Sequence, residues 1–243
     1  MRRLLTIALL GAVVMILFLL ARTAEDWHYV VEGQPGALMY VATFDDFTTD
    51  WQTYDGRLAA SVADGGLRIE NGLGDTYAFS VTRPHFRDFD LRLDARAISG
   101  PENNGYGVIF RYQDQGNFYM FLVSSDGYYS VTRVTNGDQT LLSAWVDTPL
   151  VTRGFESPNI LRVVGQSDSF RFFVNNQPVQ LCIPNDPGGI STYSAGQCFG
   201  GTMQDELTDV SIASGQIGVV ALSLDEPNVV AQFDNLLVYQ PAA

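Results

Sequence analysis

The chain has no lysine. All 14 of its basic residues are arginine, set against 27 Asp and Glu, for a formal net charge of −13. Cysteine and histidine are scarce, at two each, so a Cys/His zinc site has almost nothing to draw on. No segment after residue 30 repeats its apolar residues with a 3.6 period, which argues against a helical core. Glu is also rare. Of seven in the chain, none sits in a predicted strand beside another acid, so the paired carboxyls of glycoside hydrolysis are not apparent. A Ser-His-Asp triad would depend on His85, in a turn-like RPHFRD segment where a surface histidine is the ordinary explanation.

The charge is uneven. Residues 1–24 hold Arg2, Arg3 and Arg22 and no acid, while residues 25–243 carry all 27 acids and 11 arginines, a net charge of about −16. Such a surface repels the phosphates of nucleic acids and anionic lipid headgroups. No nucleic-acid partner is expected; cations, neutral glycans and basic protein faces stay open.

What the chain does have is β signal. Residues 104–145 contain four runs rich in Tyr, Phe, Val and Ile (Tyr106–Tyr112, Asn117–Val123, Gly127–Val134, Gln139–Trp145), separated by QDQG, SSDG and TNGD. Such residues suit a pleated sheet, and Asp-Gly and Asn-Gly supply the positive φ of tight hairpins. About fourteen short strands with turn signals between them predict an all-β fold, a two-sheet antiparallel sandwich.

Three regions follow. Residues 1–24 form an N-terminal signal-anchor: Leu4–Leu20 is a continuous apolar run, just long enough to span a bilayer as a helix. A cleaved signal peptide is the rival, but Ala21-Arg22-Thr23 is a poor cleavage site and no cysteine follows for a lipid anchor. Arg2 and Arg3 keep the N-terminus inside, and Trp27 and Tyr29 fall at an interfacial aromatic belt. Residues 25–37 form a connector and residues 38–243 a sandwich ectodomain, with residues 183–209 as a rim loop. The expected address is the bacterial cell membrane, single-pass, with the C-terminal domain outside the cytoplasm. Cys182 and Cys198 flank a Gly/Pro/Ser-rich excursion and are expected to pair in that oxidising setting.

The meander has two faces. If Tyr112 pairs with Phe118 and Val123 with Tyr128, one face holds Val108, Phe110, Phe118, Met120 and Leu122 as core. The other holds Ile109, Arg111, Tyr119, Phe121 and Tyr128. Flat rings with donors around them suit a sugar, so Arg111, Tyr119 and Tyr128 are the expected glycan contacts. A one-residue slip in register would exchange the faces.

Four patterns carry a resemblance: YGVIFRYQDQGNFYMFLVSSDGYYSVTR, LRVVGQSDSFRFFVNNQPV, GQIGVVALS and FDNLLVY. Over residues 44–239 the chain resembles the concanavalin A-like lectin/glucanase superfamily, in particular bacterial laminin-G-like and 3-keto-disaccharide hydrolase-like jelly rolls. The resemblance implies a jelly roll with glycans on a concave sheet face. It also implies a structural Ca²⁺ where first and last strands meet, with Asp45, Asp46 and Asp234 at the matching ends; carboxylates suit that hard cation. The Glu-x-Asp-x-x-Glu motif of the related glucanases is absent. Its nearest echo, Asp90 and Asp94 with Arg92 between them, puts the two acids roughly 13 Å apart at strand rise. The expected function is therefore a membrane-anchored, non-catalytic glycan-binding module. Two alternatives stay open: an accessory subunit docking on partner proteins of a membrane complex, and a 3-keto-glycoside-type hydrolase.

Overall fold

The structure is a computed structural model and describes residues 10–18, 29–45 and 50–242. Residues 10–18 are helical, and their apolar side chains, Val14, Ile16 and Phe18 among them, are exposed. Among the described residues no helix is long and apolar enough to cross a membrane. The remainder of the expected Leu4–Leu20 span lies outside the described residues, as does Asp46.

From residue 29 onward the described chain is strand and turn. It opens with β1 (Val30–Val31), β2 (Leu38–Ala42), β3 (Leu58–Ala63), β4 (Gly66–Asn71), β5 (Thr76–Phe86) and β6 (Phe89–Ser99). The meander is β7 (Gly105–Asp114), β8 (Asn117–Ser124), β9 (Tyr128–Thr135) and β10 (Asp138–Asp147). Next come β11 (Asn159–Gln166), β12 (Ser169–Val174) and β13 (Gln177–Pro178). The rim excursion contains β14 (Leu181–Pro184), β15 (Thr192–Ser194), β16 (Gln197–Phe199), β17 (Gly201–Gln204) and β18 (Leu207–Thr208). The chain closes with β19 (Gly215–Ser223) and β20 (Val229–Tyr239).

Two sheets result. One has seven strands in the order β1-β5-β19-β7-β8-β9-β10. The other has nine, in the order β13-β12-β11-β6-β20-β4-β3, with β18 beside β12 and β2 beside β20. The expected connector thus contributes β1, which pairs parallel with β5. The hairpins form where the sequence supplies positive φ. Asp64–Gly65, Asn136–Gly137 and Asn175–Asn176 are left-handed at both positions, the geometry that matches strand twist.

Period-2 alternation sends one face of each sheet into a shared core. Val108, Phe110, Tyr119 and Phe121 from the seven-stranded sheet meet Leu93, Leu161, Phe170 and Phe172 from the other. Five-ångström ring contacts such as Phe121–Phe172 (5.0 Å) lock the layers, each worth about 1 kcal/mol beyond its burial. The rim excursion is not a bare loop: β14 pairs with β17 and β15 with β16. Cys182 and Cys198 form a disulfide across it, with an S–S distance of 2.00 Å, as the sequence led us to expect.

Candidate functional site

The register of the meander differs from the expected one. Phe110 pairs with Tyr119 and Asp114 with Asn117, so three residues of β7 (Arg111–Gln113) oppose the single residue Phe118 of β8. Likewise Val123 pairs with Tyr129, not with Tyr128. The bulge at the end of β7 is the cause of the first difference. Arg111 sits in it with a left-handed backbone (φ 52°), which rotates its side chain inward and turns Tyr112 outward. On β8, Phe118, Met120 and Leu122 face out, while Tyr119 and Phe121 face in.

Two of the three expected glycan contacts therefore lie inside the sandwich. Arg111 is 1 % exposed, with its guanidinium carbon 4.5 Å from the centre of the Phe170 ring. Its Nη1 donates to the Ile212 carbonyl (2.7 Å), and its Nη2 donates to the carbonyls of Arg87 (3.1 Å) and Ser167. It ties three loops together at one end of the core. Tyr119 is fully buried, stacked on Phe110 at 5.2 Å, and its hydroxyl donates to Asp209 Oδ1 (2.7 Å). Burial pushes the Tyr119 phenol well above its ordinary pKa, and Asp209 adds to the rise, so it remains a donor.

Tyr128 is different. It lies on the outer face, beside a shallow depression of about 190 Å³ lined by Asn103, Ser124, Asp126, Tyr128, Trp145 and Leu224. In β10, Ala144 and Trp145 together oppose Ser130. This second irregularity accompanies an inward Ala144 and an outward Trp145. The indole lies close over β7: a Cβ at Gly105 would stand 3.2 Å from Trp145 Cη2, so a larger residue there would push the ring by a few tenths of an ångström. The turn beneath is fixed by hydrogen bonds. Ser124 Oγ donates to Asp126 Oδ1 and accepts from Tyr128 N (3.2 Å), and Gly127 takes φ 101°. On the same face Tyr77, Phe79, Tyr112 and Phe118 form a cluster of rings with centroids 5.4–6.2 Å apart. Apolar rings beside Asn103, Asp126 and a phenol can take a sugar's C–H face and its hydroxyls together.

The opposite sheet holds the expected metal residue Asp234 and the acids Asp90 and Asp94. Asp94 and Asp234 are cross-strand partners on β6 and β20, and Asn235 Nδ2 donates to Asp94 Oδ2 (2.9 Å) and Asp234 Oδ2 (3.3 Å). Burial raises the Asp234 pKa, and repulsion from Asp45 and Asp94 adds to it against the Asn235 amide and Arg96. Among the described residues no group of three or more His, Cys, Asp or Glu could hold a metal ion. Asp90 is gripped by Arg162 (2.6 and 2.8 Å) and Arg92 (2.9 Å). Burial opposes its charge, but those hydrogen bonds and charges prevail and hold its carboxyl below the ordinary range, so it stays ionised rather than serving as an acid.

No protein-family model and no curated protein sequence matches the chain. Solved structures do resemble it. The carbohydrate-binding module CBM66 from Bacillus subtilis superimposes with a TM-score of 0.54 at 17 % identity, over 77 % of this chain and 94 % of that one. A Bacillus subtilis protein of unknown function with a galectin-like fold gives 0.56 at 14 %, over 85 % and 97 %. A Bacillus licheniformis β-glucanase gives 0.51 at 12 %, over 85 % and 99 %. The fold is thus a concanavalin A-like jelly roll.

Proposed function

We propose that the protein is a glycan-binding module, held outside the cytoplasm on its N-terminal apolar segment, with its site on the outer face of the seven-stranded sheet. The observation that carries this reading is the depression where Trp145, Tyr128 and Leu224 stand beside Asn103 and Asp126. The fold's likeness to a carbohydrate-binding module is consistent with it. The acidic surface favours neutral glycans over anionic ones. The anchor rests on the apolar run and on a described helical stretch that exposes apolar side chains. Glycan-array binding of the full-chain protein, beside Trp145→Ala, tests the site. Binding that vanishes in the folded variant supports it; a folded wild type that binds no glycan sinks it and favours a protein-docking subunit. Retention in the membrane pellet after alkaline extraction tests the anchor.

The same reading places a calcium ion at the corner of Asp45 and Asp234. Its support is the repulsion that Asp45 and Asp94 exert on Asp234, which a cation would relieve. A melting temperature that rises with Ca²⁺ and falls back with EDTA supports it; identical curves contradict it.

A further inference from the structure

The depression on the sheet face measures about 190 Å³, short of the roughly 300–1,000 Å³ of an ordinary ligand site. A hollow of that size seats a single sugar ring, so any further unit of a glycan would lie on the surface beside it. That surface continues along β10. Asp147 follows Trp145 by two residues and is the direct cross-strand partner of Tyr128, so its carboxylate stands on the same outer face. Asp147 Oδ1 accepts from Arg153 Nη2 (2.8 Å). Trp145, Tyr128, Asp147 and Arg153 thus make one strip that leads out of the depression.

The ion pair is held from below. Gly127 takes φ 101°, and a Cβ there would fall 2.8 Å from both Cζ and Nη2 of Arg153. The guanidinium therefore lies directly on the turn that carries Asp126 and Tyr128. The loop after β10 is tied to the same turn, since Thr148 N donates to the Gly127 carbonyl (2.9 Å) and Gly154 N to the Ser125 carbonyl (2.9 Å). Even so, the Arg153 and Asp147 side chains are 58 % and 52 % exposed, open to a ligand.

An ion pair that open adds little to stability. It does offer a ligand two kinds of group at once, N–H donors on Arg153 and carboxylate lone pairs on Asp147. A sugar hydroxyl both donates and accepts, and neighbouring hydroxyls on one ring can use both groups together. A guanidinium already seated on Gly127 loses less freedom when it binds.

We propose that Arg153 and Asp147 form a second subsite, which binds the next unit of a neutral glycan whose first ring lies against Trp145 and Tyr128. The protein thereby selects oligosaccharides over monosaccharides. This inference rests on the glycan reading of the depression.

The test titrates the full-chain protein with glucose, xylose, mannose and galactose, each beside its own disaccharide. In at least one series the disaccharide is expected to bind about tenfold more tightly than its monosaccharide, the gain of about one hydrogen bond to a charged group. Arg153→Ala should erase that gain and leave the monosaccharide affinity unchanged. In wild type labelled with ¹⁵N-arginine, the Arg153 Nε–H resonance should move with that disaccharide and stay in place with the monosaccharide, a readout that needs no variant to fold. Equal binding of both sugars by wild type overturns the subsite and spares the depression. So does an Arg153→Ala protein that keeps the gain, or one that loses affinity for both sugars by the same factor, as a merely structural role would. A folded wild type that binds none of these sugars removes the subsite and the glycan reading together.

Discussion

The inner and outer faces of the seven-stranded sheet are built from the same strands with opposite polar residues. Inside, Arg111 and Tyr119 place their polar atoms at the rim of an aromatic core, where every hydrogen bond we describe for them goes to this chain's own backbone or to Asp209. Outside, Trp145 and Tyr128 remain half-buried, with Asn103 and Asp126 at their edge. Buried polar groups tied to this chain's own carbonyls and to Asp209 hold the fold, and a half-open aromatic surface faces outward. Position in a strand says little about which outcome a residue meets; the bulges decide it.

The sharpest way to break the contrast is to remove the inner arginine. Arg111→Met leaves three carbonyls without their donor and should cost about 3 kcal/mol or more, read by urea unfolding of a single transition. Replacing Cys182 and Cys198 by serine should cost about 3 kcal/mol in the loop-entropy picture and loosen the rim excursion between them. The sheet-face depression contains no residue of that excursion and should keep its ligand.

Acid should strike the buried ion pairs next. Asp90 and Asp209 both ionise more readily folded than unfolded, despite burial, because Arg162 and Arg92 hold the first and Ser211, Tyr119 and Arg133 the second. As pH falls, the unfolded chain takes up protons first. Their stabilisation is therefore full at neutral pH and lost as pH drops below about 4 through their folded values. Asp234 runs the other way, since its raised pKa favours the folded state on protonation. Unfolding followed from pH 7 to pH 3 should show a smaller acid loss in Asp90→Asn than in wild type. An unchanged slope would remove Asp90 from the account.

On the outer face the effects on stability shrink and those on binding grow. Trp145→Ala should cost about 1–2 kcal/mol of stability but abolish glycan binding. Gly105→Ala sharpens the point: its added methyl crowds Trp145 at 3.2 Å, so affinity should drop severalfold while stability moves by about 1 kcal/mol or less.

Much of this was legible in the sequence. The strands follow from β-branched and aromatic runs, as in β20 (Val229–Tyr239). The turns follow from Asn-Gly and Asp-Gly, and the disulfide from two cysteines that flank a Gly/Pro/Ser-rich excursion. The face assignment of β8 was not legible. Strict alternation carries Arg111 to the side of Ile109, and only a left-handed residue in a bulge reverses it. Arg111 is a poor guide to such a conformation, which glycine or asparagine would have signalled. Trp145 left a weaker trace in Gly105, whose missing Cβ leaves room for the ring. The Asp209 cluster left none, because Asp209 meets Tyr119 and Arg133 from 90 and 76 residues away.

Trp51 offers an internal control for the central claim, since it is buried in the core and donates from Nε1 to Tyr40 Oη (3.0 Å). The decisive measurement is therefore the indole N–H spectrum of the ¹⁵N-labelled protein, titrated with the neutral oligosaccharide that binds best on the array. We predict that the Trp145 signal shifts saturably while the Trp51 signal stays in place. A saturable ligand that leaves Trp145 unmoved would contradict a glycan site on the outer sheet face.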